Sequence, residues 1–243
     1  MPEGPSIIIA KEKFREFEGK KLIAAAGNAK IDLSRLENKK IISFKSWGKH
    51  LLICFSDFTV RIHFLMFGTY LVNERKSTPL KLGLKFKDGE LNLYTCNVKI
   101  LEGDIHSHYD WSADVMNDKW SAPKAKKKLK EIPDTQIADA LMEQELFSGV
   151  GNIIKNEVLY RVKVHPESII SEIPTKKISE ILKETVAYSF DFLKWKNENT
   201  LKKHWLIYHK KTCENCGLPI VKKETGKKKR ASFFCKNCQI KYD

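Results

Sequence analysis

The residues best suited to chemistry stand at the very start: Met1-Pro2-Glu3-Gly4-Pro5. Removal of Met1, which a small second residue permits, would leave Pro2 with a free secondary amine. Such an amine attacks a sugar carbon directly and collapses to an iminium, a strong electron sink. α-Amino groups titrate near ~7.7–8, so a usable fraction is unprotonated at neutral pH. Glu3 follows directly and is placed to move protons. On its own this start reads better as an ordinary processed terminus; two distant features reverse that reading.

The first is a pair of C-x-x-C motifs, Cys213-Glu214-Asn215-Cys216 and Cys235-Lys236-Asn237-Cys238, with eighteen residues between them. Four thiolates so paired fit tetrahedral zinc in a closed, structural site, and the spacing is that of a zinc ribbon or finger. Two disulfides or a redox pair are the competing readings. Disulfides are disfavoured because the start carries no secretory signal. Cys54 and Cys96 lie in apolar, strand-like stretches and are expected as reduced core residues. Between the motifs runs Lys227-Lys228-Lys229-Arg230-Ala231-Ser232-Phe233-Phe234, a basic turn entering an apolar strand. The lysines read as a solvated loop, and Arg230, on the hairpin, as a fork for phosphate. A finger this small draws its folding free energy from the metal.

The second feature is Ser148-Gly149-Val150-Gly151-Asn152, followed by Ile153, Ile154, Val158 and Leu159 at helical spacing. Upstream, Asp134 is expected to cap a helix carrying Ile137, Ala140, Leu141 and Gln144. The whole reads as helix, glycine-containing turn, helix, with Asn152 opening the second helix. Helix starts bind anions, and glycines let a phosphate backbone approach closely. Alone, Gly-x-Gly-Asn could be no more than a tight turn.

The elements that must position these groups divide near residue 120. Before it, strand-like runs cover 40–44, 51–55, 59–63, 69–73, 82–86 and 91–95, the pattern of a β-sandwich, with a helix over 6–17. A basic helix over 124–130 follows Pro123, and helical patterns continue to Tyr208. The expected organisation is α+β: a β-sandwich domain over 1–120 that carries the candidate nucleophile, a helical domain over 121–210 and a zinc finger over 211–243. The net charge of +14 over 243 residues calls for a polyanionic partner. No apolar span or lipidation motif points to a membrane, and no carboxylate cluster suits magnesium-dependent nuclease chemistry. A cytoplasmic monomer is expected, nucleoid-associated if bacterial.

Taken in order, these motifs resemble the formamidopyrimidine-DNA glycosylase and endonuclease VIII family of base-excision repair enzymes. The resemblance rests on the Pro-Glu-Gly-Pro start, Gly48-Lys49-His50, the segment from His63 to Gly68, Gly-Val-Gly-Asn and the four-cysteine finger with its arginine. The start, and the lack of an Arg–Phe loop near 97–102, look more like the endonuclease VIII branch. The resemblance implies a bifunctional glycosylase/apurinic-site lyase that removes oxidised bases, pyrimidines foremost, from damaged double-stranded DNA, with one structural Zn²⁺. Pro2 would be the nucleophile, Glu3 the proton carrier, and Lys49 the lysine on the phosphate beside the lesion. Asn152 and Arg230 match the other two phosphate-clamping positions. Leu65, Met66 and Phe67 match the segment that fills the hole left by a flipped nucleotide, Met66 and Phe67 being the stronger wedges. Two departures stand out: Ser6 replaces the family's usual second Glu, and Leu65 replaces a polar wedge residue. His50, His63, His204 and His209 read as structural, outside the zinc shell. A non-catalytic protein recognising damaged DNA would explain the charge, the finger and the helices, but not Pro2-Glu3.

Overall fold

The computed structural model describes residues 2–243, which fall into two compact units, 1–110 and 111–243. The division comes ahead of the boundary expected near residue 120, and the zinc-finger segment lies within the second unit.

The first unit opens with α1 (Gly4–Phe14) and a 3₁₀ turn, Arg15–Phe17. Glu3 is its N-cap residue and Pro5 sits in its first turn, where the missing N–H costs nothing. Helix formation thus begins ahead of the expected 6–17. Ile7, Ala10 and Phe14 recur on one face and are buried in the core of this unit.

Six strands follow: β1 (Ala24–Ala26), β2 (Ser43–Trp47), β3 (His50–Cys54), β4 (Phe58–Val72), β5 (Leu82–Phe86) and β6 (Gly89–Glu102). They form one antiparallel sheet in the order β1-β5-β6-β4-β3-β2. β4 and β6 are shared by two halves: Phe58–Phe64 pairs with 96–102 beside β3, and Thr69–Val72 pairs with 91–94 beside β5. Inward residues of both halves, among them Ile53, Ile62, Leu84 and Leu93, join a single core. The expected sandwich is therefore built from one continuous sheet. The runs at 59–63 and 69–73, read as separate strands, belong to β4. β2 starts later than residue 40 because 39–41 are bonded to 20–22, through Leu22 N–H to Lys39 O and Ile41 N–H to Lys20 O.

In the second unit α2 (Ala122–Lys130) is the expected basic helix, with Ser121 Oγ accepting from Lys124 N–H. α3 (Ile137–Ala140) is a single turn, and Asp134 does not cap it. Its first N–H groups are taken instead by loop carbonyls, Ile137 by Ser168 O and Ala138 by Pro166 O. Gln144 lies beyond the helix and braces the glycine turn: its Nε2 donates to Val150 O and its Oε1 accepts from Gly149 N–H. α4 (Asn152–Arg161) starts at Asn152, as the sequence requires. α5 (Thr175–Asn197) buries Ile178, Ile181, Leu182, Thr185, Tyr188 and Phe192 along one stripe. A hairpin, β7 (Val221–Thr225) with β8 (Arg230–Phe234), lies between the cysteine pairs. No helix among the described residues is long and apolar enough to cross a membrane.

Candidate active site and nucleic-acid interface

Pro2 is half-buried and Glu3 almost fully buried, and the Glu3 carbonyl accepts the N–H of Ser6 in the first helical turn. α1 packs against β2 and β3. The two-residue turn joining those strands is Gly48-Lys49, with Trp47 paired to His50 and Gly48 at φ +51. A lysine at a hairpin tip is ordinarily exposed, yet Lys49 is buried, with 8% of its surface exposed. The elements carrying Glu3 and Lys49 thus belong to one packed layer.

On the face opposite the core, register puts Trp47, His50, His63 and Asn97 in one cross-strand row and Lys45, Leu52, Arg61 and Lys99 in the next. The His50 and His63 rings meet edge-on at 5.2 Å, and Tyr109 OH bonds His50 Nδ1 at 3.2 Å. Burial pushes His50 down to about 3, reinforced by the charges of Arg61, His63 and Lys49. Burial also lowers His63, helped by Lys49 and Arg61. Tyr109 is raised to about 12 by burial, although Arg61 opposes the shift. Arg61 and Tyr109 were not singled out from sequence. The alternation Thr59, Arg61, His63 along β4 marks one polar face, and was the available signal for Arg61.

Leu65, Met66 and Phe67 occupy a break in β4. Between Phe64 and Thr69 the strand runs past only Thr95 of its partner, so residues 65–68 are looped out. The three side chains are exposed by 39%, 59% and 80%, so none is a core residue. Gly68 closes the excursion: a Cβ there would stand 2.7 Å from Thr95 O and 2.8 Å from Phe64 Cβ. The loop can return to the ladder only with glycine at this position.

In the second unit, Asn152 lies where α4 meets the hairpin, bonded to the residue that follows Arg230. Arg230 is exposed at the start of β8. The carbonyl of Ala231, its neighbour, accepts from Asn152 Nδ2 at 2.9 Å, Lys155 Nζ at 3.2 Å and Asn156 Nδ2 at 3.4 Å. Lys155, fully buried, also donates to Ser232 Oγ at 3.0 Å, and Asn156 Oδ1 accepts from Phe233 N–H at 2.7 Å. Asn152 therefore ties α4 to the strand bearing Arg230, a role its position at a helix start did not disclose.

The four cysteines converge. The Sγ atoms of Cys213, Cys216, Cys235 and Cys238 lie within 4.8 Å of one another. Cys213 and Cys238 are 3.8 Å apart and Cys216 and Cys235 3.4 Å. Zn–S bonds of about 2.3 Å in a tetrahedron set sulfurs about 3.8 Å apart, so the donor set fits zinc. Burial raises Cys213, but hydrogen bonds from Tyr160 OH and the N–H groups of Asn215 and Cys216 prevail and bring it to about 6. Burial pushes Cys235 up to about 12. As thiolates the four sulfurs would repel one another at these distances, and a cation among them would offset that repulsion. The histidines stay outside the group: His204 stacks on Trp195 at 4.1 Å and His209 packs on Phe233.

Two sequence profiles match this architecture. The formamidopyrimidine-DNA glycosylase N-terminal domain matches residues 1–97, and the formamidopyrimidine-DNA glycosylase H2TH domain matches residues 112–189. The chain belongs to the formamidopyrimidine-DNA glycosylase/endonuclease VIII family of DNA-binding repair glycosylases. Among its relatives, endonuclease 8-like 3 of Xenopus laevis is 28% identical over 237 residues, covering 90% of this chain and 38% of that protein. Endonuclease 8-like 2 of Bos taurus is 33% identical over 132 residues, 53% of this chain and 39% of that one. The chain thus spans well under half the length of these relatives. The fold matches that of Lactococcus lactis formamidopyrimidine DNA glycosylase bound non-covalently to DNA containing an AP site. The TM-score is 0.88 at 22% identity, over 98% of this chain and 100% of that one.

Proposed function

We propose that this protein is a bifunctional DNA glycosylase/AP lyase of base-excision repair that removes oxidised bases, pyrimidines foremost, from duplex DNA. The observation that carries the reading is Glu3, buried at the head of α1 with Pro2 immediately before it, in a domain of this family. Met1 lies outside the described residues, and its removal is part of the proposal. The Pro2 nitrogen attacks C1′ of the flipped nucleotide and the bond to the base breaks, the base leaving with a proton. Glu3 serves the proton transfers that open the sugar. The resulting iminium acidifies the C2′ hydrogen; its loss expels the 3′ phosphate, and a second elimination expels the 5′ phosphate. Water then releases the sugar fragment and restores the amine.

Lys49, Asn152 and Arg230 are the proposed phosphate contacts, and Leu65, Met66 and Phe67 the wedge. The cysteines would hold one structural Zn²⁺, which supplies folding free energy to the finger and no step of the reaction.

Borohydride trapping tests the nucleophile. Reduction during turnover of abasic DNA is expected to leave a covalent adduct that peptide mapping assigns to Pro2. An adduct on a lysine would overturn the assignment. Intact mass showing Met1 retained in protein without lyase activity would favour recognition of damage without catalysis.

A further inference from the structure

The tip of the hairpin is held by a group with no part in the proposed contacts. Asp139, on α3, is buried, with 7% of its surface exposed, an unusual place for a carboxylate. Its Oδ2 accepts from Lys227 N–H at 2.6 Å and its Oδ1 faces Lys228 N–H at 3.4 Å. Both N–H groups belong to the turn between β7 and β8. Gly226, at φ +71, lets the turn close over the carboxylate: a Cβ there would overlap both oxygens. Four residues on, past the end of α3, Glu143 pairs with Lys228 Nζ at 2.5 Å. On the other side of Arg230, the Ala231 carbonyl is held by α4. Arg230 is thus bracketed by anchors at 227–228 and at 231–233, while the cysteines close the far end of the hairpin.

We propose that Asp139 is a positioning residue for DNA binding: by fixing the turn at Lys227 and Lys228 it places the Arg230 guanidinium where a phosphate is met. The inference rests on the reading of Arg230 as a phosphate contact. Bare charge and positioning give effects of opposite sign. Asp139→Ala removes a negative charge from a basic surface, which by Coulomb attraction alone would tighten binding to a polyanion. Loss of position weakens it.

The experiment is a double-mutant cycle on the full-length, zinc-loaded protein. Its variants are Asp139→Ala, Arg230→Ala and the pair, and its probe is a duplex containing tetrahydrofuran. Zinc content and far-UV circular dichroism report folding. Arg230→Ala is expected to weaken binding roughly tenfold or more, the scale of a hydrogen bond to a charged group, and to flatten the log–log salt slope by about 0.9. Asp139→Ala is expected to weaken binding in the same direction and flatten the slope, with zinc retained. In the Arg230→Ala background it should weaken binding no further, leaving only the small opposite effect of the lost charge. Asp139→Asn keeps one acceptor oxygen and should fall between, which carries the test if the alanine variant does not fold. Unchanged or tighter binding by Asp139→Ala, where Arg230→Ala weakens it, would overturn the inference alone. Arg230→Ala without effect would overturn the phosphate reading and this inference with it.

Discussion

Phe67 offers the sharpest separation of stability from function. Burying a phenylalanine completely is worth roughly 1.5–3 kcal/mol, and Phe67 keeps 80% of its surface in water. Only a fifth of that energy is at stake, so Phe67→Ala should cost about 0.3–0.6 kcal/mol of stability. Phe64, three residues earlier and 4% exposed, is the internal control: its truncation should cost about 3–5 kcal/mol. If Phe67 enters the stack on DNA, its loss should remove about 1–3 kcal/mol of stacking, a roughly five- to 150-fold fall in affinity for a flipped site. Urea unfolding followed by tryptophan fluorescence measures the first quantity. A duplex carrying 2-aminopurine beside an abasic analogue measures the second, since unstacking raises its fluorescence. A stability loss above about 2 kcal/mol would show that Phe67 is packed after all. Wild-type affinity and unstacking in Phe67→Ala would refute its assignment as a wedge.

Three further outcomes are expected. Cys235→Ser should abolish zinc binding and weaken DNA binding while leaving the 1–110 unit folded on its own core; metal analysis and limited proteolysis check this, and full DNA affinity without metal would contradict it. His50 is held neutral when folded, its pKa lowered from 6.5 to about 3. The unfolded chain therefore takes up a proton that the folded chain refuses, and stability should fall as pH drops below 6.5, by up to about 1.4 kcal/mol per unit. His50→Phe should flatten that acid limb in urea melts at pH 7, 6 and 5, and an identical slope would remove His50 as its cause. Asn152→Ala should weaken DNA binding with little change in salt slope, because the amide carries no charge; a slope change like that of Arg230→Ala would show that Asn152 acts only by holding Ala231.

The sequence disclosed what depends on residue type and spacing. Cysteine spacing announced the cluster, and the Gly-Val-Gly-Asn run put Asn152 at the head of α4, because both signals are local. The break in β4 was half legible. Strand-like runs at 59–63 and 69–73 were visible, but their continuity depends on pairing with one partner strand, β6, which no local pattern encodes. Asp134 misled for the same reason: it is a sound N-cap by type, yet the N–H groups it would have served find carbonyls thirty residues away in the loop at Pro166 and Ser168. Arg61, Tyr109, Asp139 and Lys155 escaped notice because each has meaning only through a tertiary neighbour. A lone Asp in a helical turn looks solvated until a backbone turn from another segment closes over it.

That last case bears on what the finger contributes. Its two apolar strand residues pack outward onto the helical unit: Phe234 against His165 and Phe233 against Tyr208 and His209. A metal can fix the cysteine end of the hairpin, but it cannot fix a tip several residues away. The tip is fixed by Asp139 and by the donors of α4, both fastened to a helical core that folds around its own apolar cluster. With the strand carrying Arg230 held at both ends, a phosphate contact by Arg230 as proposed would need only to restrict the arginine side chain, at roughly 0.5–1.5 kcal/mol rather than the cost of ordering a loop. A zinc held by the cysteines and the helical dock would act in series on that preorganisation, and loss of either should be felt at Arg230.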